Sequence, residues 1–234
     1  MILTKEKVRY HLLDTIRGIA LINMIVYHFI YSMIYIFGFS MEWFGNTWTQ
    51  IWQQCICWTF IIISGAAVNL GTNQLKRGAE VFGCGCVVTL VTIFVTPANR
   101  IIFGILSFIG IAMIITYYLM PLYKKLPKGI MLLLNFALFF LTKPITNYRY
   151  DIKGLFFLGF KSRDFFSADY FPLIPWIFLF WFGFFGFGII LEKYSNNPIL
   201  KIKIPFLSYI GKHTLIIYML HQPVIFLVGN LICK

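Results

Sequence analysis

The chain has 234 residues, 59% of them hydrophobic and only 12% charged, with a mean hydropathy of +0.80. That much apolar surface excludes a soluble globular domain, whose surface-to-volume ratio forces polar residues outward, whereas helices in lipid keep apolar outer faces. The formal net charge of +12 fits short basic loops against an anionic leaflet, and nucleic-acid binding is not expected.

The predicted fold class is therefore all-α, a polytopic transmembrane bundle of about seven helices in a single domain over residues 1–234, with its N-terminus cytoplasmic. No signal peptide is expected, because the apolar run after the charged leader is too long for one. A crossing needs about 20 mostly apolar residues. Runs that meet or approach this are 15–39, 48–70, 78–96, 101–123, 129–142, 171–191 and 207–232. The fifth is short, and if it fails to span, everything after it inverts. With the N-terminus inside, Arg100, Lys143, Arg149, Lys153, Lys161, Arg163 and Lys234 fall outside, and the other thirteen of the 20 lysines and arginines fall inside. That is the bias of the positive-inside rule. It predicts a multi-pass protein of the cytoplasmic membrane.

Small residues and prolines fit packed helices. Gly83 and Gly85 on the third span, and Gly183, Gly186 and Gly188 on the sixth, are expected to let backbones approach. Pro172 and Pro175 suit a helix start. The inner cysteines form two Cys-x-Cys pairs, Cys55/Cys57 and Cys84/Cys86, whose side chains point to different helix faces. With Cys233 they suggest neither a disulfide framework nor a structural zinc site, and no metal is predicted.

Ionisable residues at membrane depth must face protein, water or a partner, and so are functional candidates. The first span carries Asp14, Arg17, Asn23 and His28. Asp14 and Arg17 are three apart and share a face, and His28 returns near that face four turns later. The last span carries Lys212 and His213 near its start and His221 in its outer half, followed by Gln222 and Pro223. A proline there frees a backbone carbonyl, and His221 either hydrogen-bonds such a carbonyl or does chemistry. Asp169, at the entrance of the sixth span, either caps that helix or faces His28 or His221 across an outer cavity.

Several motifs carry a resemblance. Asp14-x-x-Arg17-Gly18 opens the first span and His28 ends its polar stripe. Ser64-Gly65 ends the second. Phe103-Gly104-Ile105-Leu106-Ser107-Phe108-Ile109-Gly110 lies in the fourth. Asp169-Tyr170-Phe171-Pro172-Leu173-Ile174-Pro175-Trp176 starts the sixth. Gly211-Lys212-His213-Thr214-Leu215, Ile217-Tyr218 and His221-Gln222-Pro223 mark the last. The ordered set resembles the bacterial branch of the heparan-α-glucosaminide N-acetyltransferase catalytic-domain family over nearly the whole chain.

The resemblance implies a membrane acyltransferase that moves an acetyl group from cytoplasmic acetyl-CoA to an amino sugar on the far side. It implies His28, His221 and Asp169 as catalytic groups, and a cofactor site in which Arg17, Lys76, Arg77 and Lys212 form a basic cytoplasmic rim holding the CoA phosphates, with Asp14 paired to Arg17. A histidine would act as general base or transient acetyl carrier. Ser107 stands where bacterial relatives commonly carry His, so a second imidazole there is lost. At the position of His28, animal members carry Asn. The small size points away from heparan and toward an envelope sugar or lipid-linked glycan as acceptor. The expected partners are the bilayer, the CoA thioester and that glycan, with a homo-oligomer left open. Two other readings use the same residues: a transporter or export component with His28 and Asp169 as a proton relay, and a non-catalytic scaffold of the same fold.

Overall fold

A computed structural model of the chain describes residues 9–233. Lys5, Lys7 and Lys234, which enter the charge count, lie outside that range. The described residues form α1 (His11–Tyr35), α2 (Thr47–Val68), α3 (Gln74–Val95), α4 (Ile105–Tyr123), α5 (Lys128–Thr142), α6 (Leu173–Tyr194), α7 (Pro205–Lys212) and α8 (Thr214–Ile232), joined by loops and short 3-10 turns. Seven of these helices are long and apolar enough to cross a membrane, and the chain is a multi-pass helical membrane protein. Phe94, Leu133, Leu141 and Leu231 are 80%, 70%, 74% and 67% exposed. Such side chains are at home against acyl tails and costly against water.

Three expectations about the spans change. The first helix begins at His11, so Asp14 and Arg17 lie within its opening turns. The fifth reaches 20 residues, Lys128–Asn147, because a 3-10 turn over Lys143–Asn147 continues α5. The run 207–232 is two helices, not one. His213 leaves the helical region at φ −100°, ψ 20°. The Thr214 hydroxyl donates to the Gly211 carbonyl at 2.7 Å, satisfying one of the orphan acceptors at the end of α7. Hydropathy does not register a break of one residue.

The chain divides into two compact units, the first comprising Met1–Phe60 and Tyr194–Lys234, the second Ile61–Lys193. Apolar attraction cannot drive helices together in lipid, so close packing and polar bonds must.

In the first unit, α7 runs antiparallel to the start of α1. A Cβ at Gly18 would overlap the Leu207 backbone, and one at Gly211 would overlap the carbonyl of Asp14. Further along, α8 runs parallel to α1, with Gly229 under Phe37 and Met33. The stripe Asp14, Gly18, Leu21, His28 and Ser32 thus follows the helical repeat and meets α7 at Asp14 and Gly18 and α8 at His28. From α2, the Trp52 indole donates to Asn23 Oδ1 at 3.1 Å, and Tyr27 packs edge-on against Trp52.

In the second unit, α3 and α4 form a tight antiparallel pair. Gly78 meets the Gly110 carbonyl and Ile114, Gly110 meets Phe82, and Gly85 meets Ser107. The end of α2 crosses α6 at Gly65, against the Phe180 carbonyl, and at Gly183, against that of Ile62. Asn69 Nδ2 donates to the Phe184 carbonyl at 2.9 Å nearby. Gly83 departs from expectation, because a Cβ there meets nothing within 4 Å. It lies two residues from Gly85, on a different side of the helix. Gly186 and Gly188 face only side-chain atoms of Leu132, Asn69 and Lys128, so they are not points of backbone contact either. Phe108, Phe139, Phe180 and Phe185 fill the interior. The regular part of α6 begins at Pro175, since Ile174 is extended at φ −94°, ψ 126°, as a residue before proline prefers.

Candidate functional site

α1 and α8 bring two imidazoles together. The rings of His28 and His221 lie 5.1 Å apart, tilted by 53°. Gln222 Nε2 is 3.1 Å from His28 Nδ1. His221 is 8% exposed, and its Nδ1 faces the Tyr218 carbonyl. Its Nε2 is buried with no hydrogen-bond partner among the described residues. Tyr218, His221 and Gln222 share a face because helix neighbours are three and four apart. The bonded carbonyl is one residue before that of Met219, the one whose helical donor Pro223 lacks. His28 lies 17 residues beyond His11, roughly 26 Å along α1 at 1.5 Å per residue. It turns to α8 and the second histidine, as an ionisable residue at that depth requires. Gln222 was legible beforehand only as the neighbour of His221.

At the opposite end of α1 lies a charged cluster. Asp14, 8% exposed, accepts from Arg9 Nε at 3.0 Å and Nη2 at 2.9 Å through Oδ2, and its Oδ1 is 3.7 Å from Arg17 Nη1. The expected Asp14–Arg17 pair is thus accompanied by a closer one to Arg9, which spacing did not suggest because Arg9 precedes the helix. The carboxylate holds two guanidinium groups in place. His11 has Lys203, Arg9, Lys212 and Asp14 as charged neighbours, so it belongs to this cluster. Lys212 is exposed at the end of α7.

Lys76 and Arg77 belong to the second unit and are exposed in the first turn of α3, with Lys76 Nζ 4.0 Å from Glu80 Oε1. Asp169 also belongs to the second unit. It does not cap α6. Its Oδ2 accepts the backbone N–H of Ile105, the first residue of α4, at 3.1 Å, where the helix dipole favours a carboxylate. Gly104 makes room for it, since a Cβ there would stand 2.7 Å from Oδ2. The stretches 100–105 and 167–171 are laced together around this bond. Ala168 N–H donates to the Arg100 carbonyl and Phe171 N–H to that of Phe103, while Ser167 Oγ accepts from Ile102 N–H at 2.9 Å and donates to the Asp169 carbonyl at 2.7 Å. Phe103 sits at φ 58°, a left-handed conformation costly for a bulky residue. Burial raises the Asp169 carboxyl from 3.8 to about 6, opposed by the Ile105 bond. Burial likewise pushes the Tyr170 phenol up; its hydroxyl donates to the Phe156 carbonyl.

Ser107 is 4% exposed and packs beneath Gly85. It serves as a small residue at a close helix crossing. None of the five cysteines is in a disulfide. Among the described residues, no group of three or more His, Cys, Asp and Glu side chains is placed to hold a metal ion.

A family described as "Heparan-alpha-glucosaminide N-acetyltransferase, catalytic" matches residues 9–223. Neither curated proteins nor solved structures give a match. With nearly the whole helical region covered, including both imidazoles and the charged end of α1, the chain belongs to the heparan-α-glucosaminide N-acetyltransferase catalytic-domain family, whose function is of the membrane N-acetyltransferase type.

Proposed function

We propose that the chain transfers an acetyl group from cytoplasmic acetyl-CoA to the amino group of a sugar on the far side of the membrane, in a cell envelope. The observation that carries this reading is the His28–His221 pair, with a buried imidazole nitrogen left without a partner among the described residues. A buried polar atom without a partner is costly, and a reacting group that fills the vacancy removes that cost. The charged cluster supports the donor end. Arg17 and Lys212, joined by Arg9 and Lys203, offer several cations to phosphate groups. Asp14 orients two of them. Arg17 precedes His28 by 11 residues, about 16 Å of helix, a separation that an extended pantetheine arm bridges. Lys76 and Arg77 are candidates for anion binding on the second unit. Asp169 shapes the mouth of α4 in the second unit, where it is proposed to bind a sugar.

In the reaction, the pair acts at the thioester carbonyl. One imidazole takes the proton of the attacking amine as the new C–N bond forms. The C–S bond breaks, and the proton is returned to the departing sulfur, so thiol and amide are the products.

The test is acetyl transfer by the purified protein in lipid vesicles, with radiolabelled acetyl-CoA outside and glucosamine within. Wild-type protein is expected to label the sugar. His28→Ala and His221→Ala are each expected to lower turnover at least about 100-fold, the usual scale of acid–base catalysis, with unchanged thermal unfolding. Wild-type turnover in both variants, or none in the parent, overturns the reading.

A further inference from the structure

The two imidazoles are held by different partners, and those partners dictate different tautomers. The group facing His221 Nδ1 is the Tyr218 carbonyl, which can only accept. Nδ1 therefore carries the proton in the neutral ring, and the lone pair sits on Nε2. That Nε2 is the buried nitrogen without a partner. The group facing His28 Nδ1 is the amide nitrogen of Gln222, which can only donate. Nδ1 therefore accepts, and the proton sits on Nε2. No hydrogen bond joins the two rings, although their centroids are 5.1 Å apart, so the lone pair of His221 is not engaged by His28.

Resting on the transferase reading, we infer that the pair has a fixed division of labour: His221 Nε2 is the proton acceptor, His28 Nε2–H is a hydrogen-bond donor to the acyl oxygen, and Gln222 is the positioning residue that holds His28 in that form. As the amine nitrogen attacks the acetyl carbon, its proton passes to His221 Nε2. The carbonyl π-pair moves to oxygen, which accepts from His28 Nε2–H. Collapse re-forms the carbonyl, expels sulfur, and returns the His221 proton to the thiolate. His221 Nδ1 and Tyr218 stay bonded throughout, stabilising the imidazolium while it exists. Removing one donor to a developing oxyanion typically costs about 100- to 1000-fold in turnover.

The tautomers are read without turnover, from nitrogen chemical shifts of 15N-histidine-labelled protein in detergent micelles. The expected spectrum shows protonated Nδ1 and bare Nε2 for His221, and the reverse for His28, assigned with His28→Gln and His221→Gln. Gln222→Ala is expected to release His28 from its single tautomer and leave His221 unchanged. In the acetyl-transfer assay, His28→Gln, whose amide keeps an N–H near the Nε2 position, is expected to exceed His28→Ala about tenfold, while His221→Gln is no better than His221→Ala. Gln222→Ala should lower turnover with unchanged KM, and Gln222→Asn should not rescue it, since its amide falls one methylene short.

A His28 ring protonated at Nδ1, as a Gln222 amide turned the other way would require, overturns the division of labour. So does equal activity of His28→Gln and His28→Ala. Reversed tautomers in an active protein overturn only these roles. The assigned tautomers in a protein without any acetyl transfer overturn the transferase reading and the roles with it.

Discussion

Gly211 of α7 lies directly on the backbone carbonyl of Asp14 in α1, with no space for a side chain between them. One turn further along α1, Gly18 meets the backbone of Leu207 in the same way. These two contacts set the antiparallel course of α7, and Asp14, trapped at the crossing, presents its carboxylate to Arg9 and Arg17.

A methyl group at either glycine must push two backbones apart. Gly18→Ala and Gly211→Ala are each expected to destabilise by about 1–3 kcal/mol, the usual cost of overpacking, measured by thermal unfolding in detergent. Gly83→Ala is the control. Its Cβ enters open space, so the change is expected to be neutral or to stabilise by up to about 1 kcal/mol through helix propensity. Equal losses at all three positions would contradict the close crossing of α1 and α7.

Asp14→Ala leaves two guanidinium groups without their shared carboxylate. It is expected to cost about 1–3 kcal/mol, more than Arg9→Ala, because Arg9 is about half exposed (53%) and solvent screens its pair. In a double-mutant cycle, Asp14→Ala with Arg9→Ala should lose less than the sum of the two single losses. Additive losses would show that the pair contributes nothing.

Trp181 donates its indole N–H to Thr116 Oγ1 at 2.9 Å, and Thr116, fully buried, donates on to the Ala112 carbonyl. Thr116→Val keeps the shape and removes the acceptor. The stranded indole N–H should cost about 1–3 kcal/mol, with a changed tryptophan emission spectrum. Thr116→Ser should retain most of the stability.

The pH dependence of stability contains a signature of Asp169. Its carboxyl is raised from 3.8 to about 6 in the folded protein. Between those values the folded state binds more protons than the unfolded one, so this group makes stability increase as pH falls through about 6 and level off near 4. Asp169→Asn keeps an acceptor for Ile105 N–H and removes the titration. The difference in unfolding temperature between wild type and Asp169→Asn should therefore change across pH 4–6 and stay constant above about 7, the variant being relatively better at the higher pH. A difference independent of pH would refute the buried-carboxylate assignment. Asp169→Ala, which removes the acceptor, should cost about 1 kcal/mol, the usual value of a helix cap.

The helical class, the seven crossings and the polar stripe on α1 follow from the sequence alone, because hydropathy over a 20-residue window and a 3.6-residue repeat are local properties. The packing partners are not local. In lipid the outward faces of the helices are as apolar as most of their packed faces, so hydrophobicity seldom says which face meets which neighbour. Only the tertiary structure brings Gln222 to His28 across 194 residues, leaves His221 Nε2 without a bond among the described residues, and sends Asp169 to the start of α4, 64 residues away, instead of to its own helix. Each of those outcomes joins groups far apart along the chain, and that geometry exists only once the helices have docked.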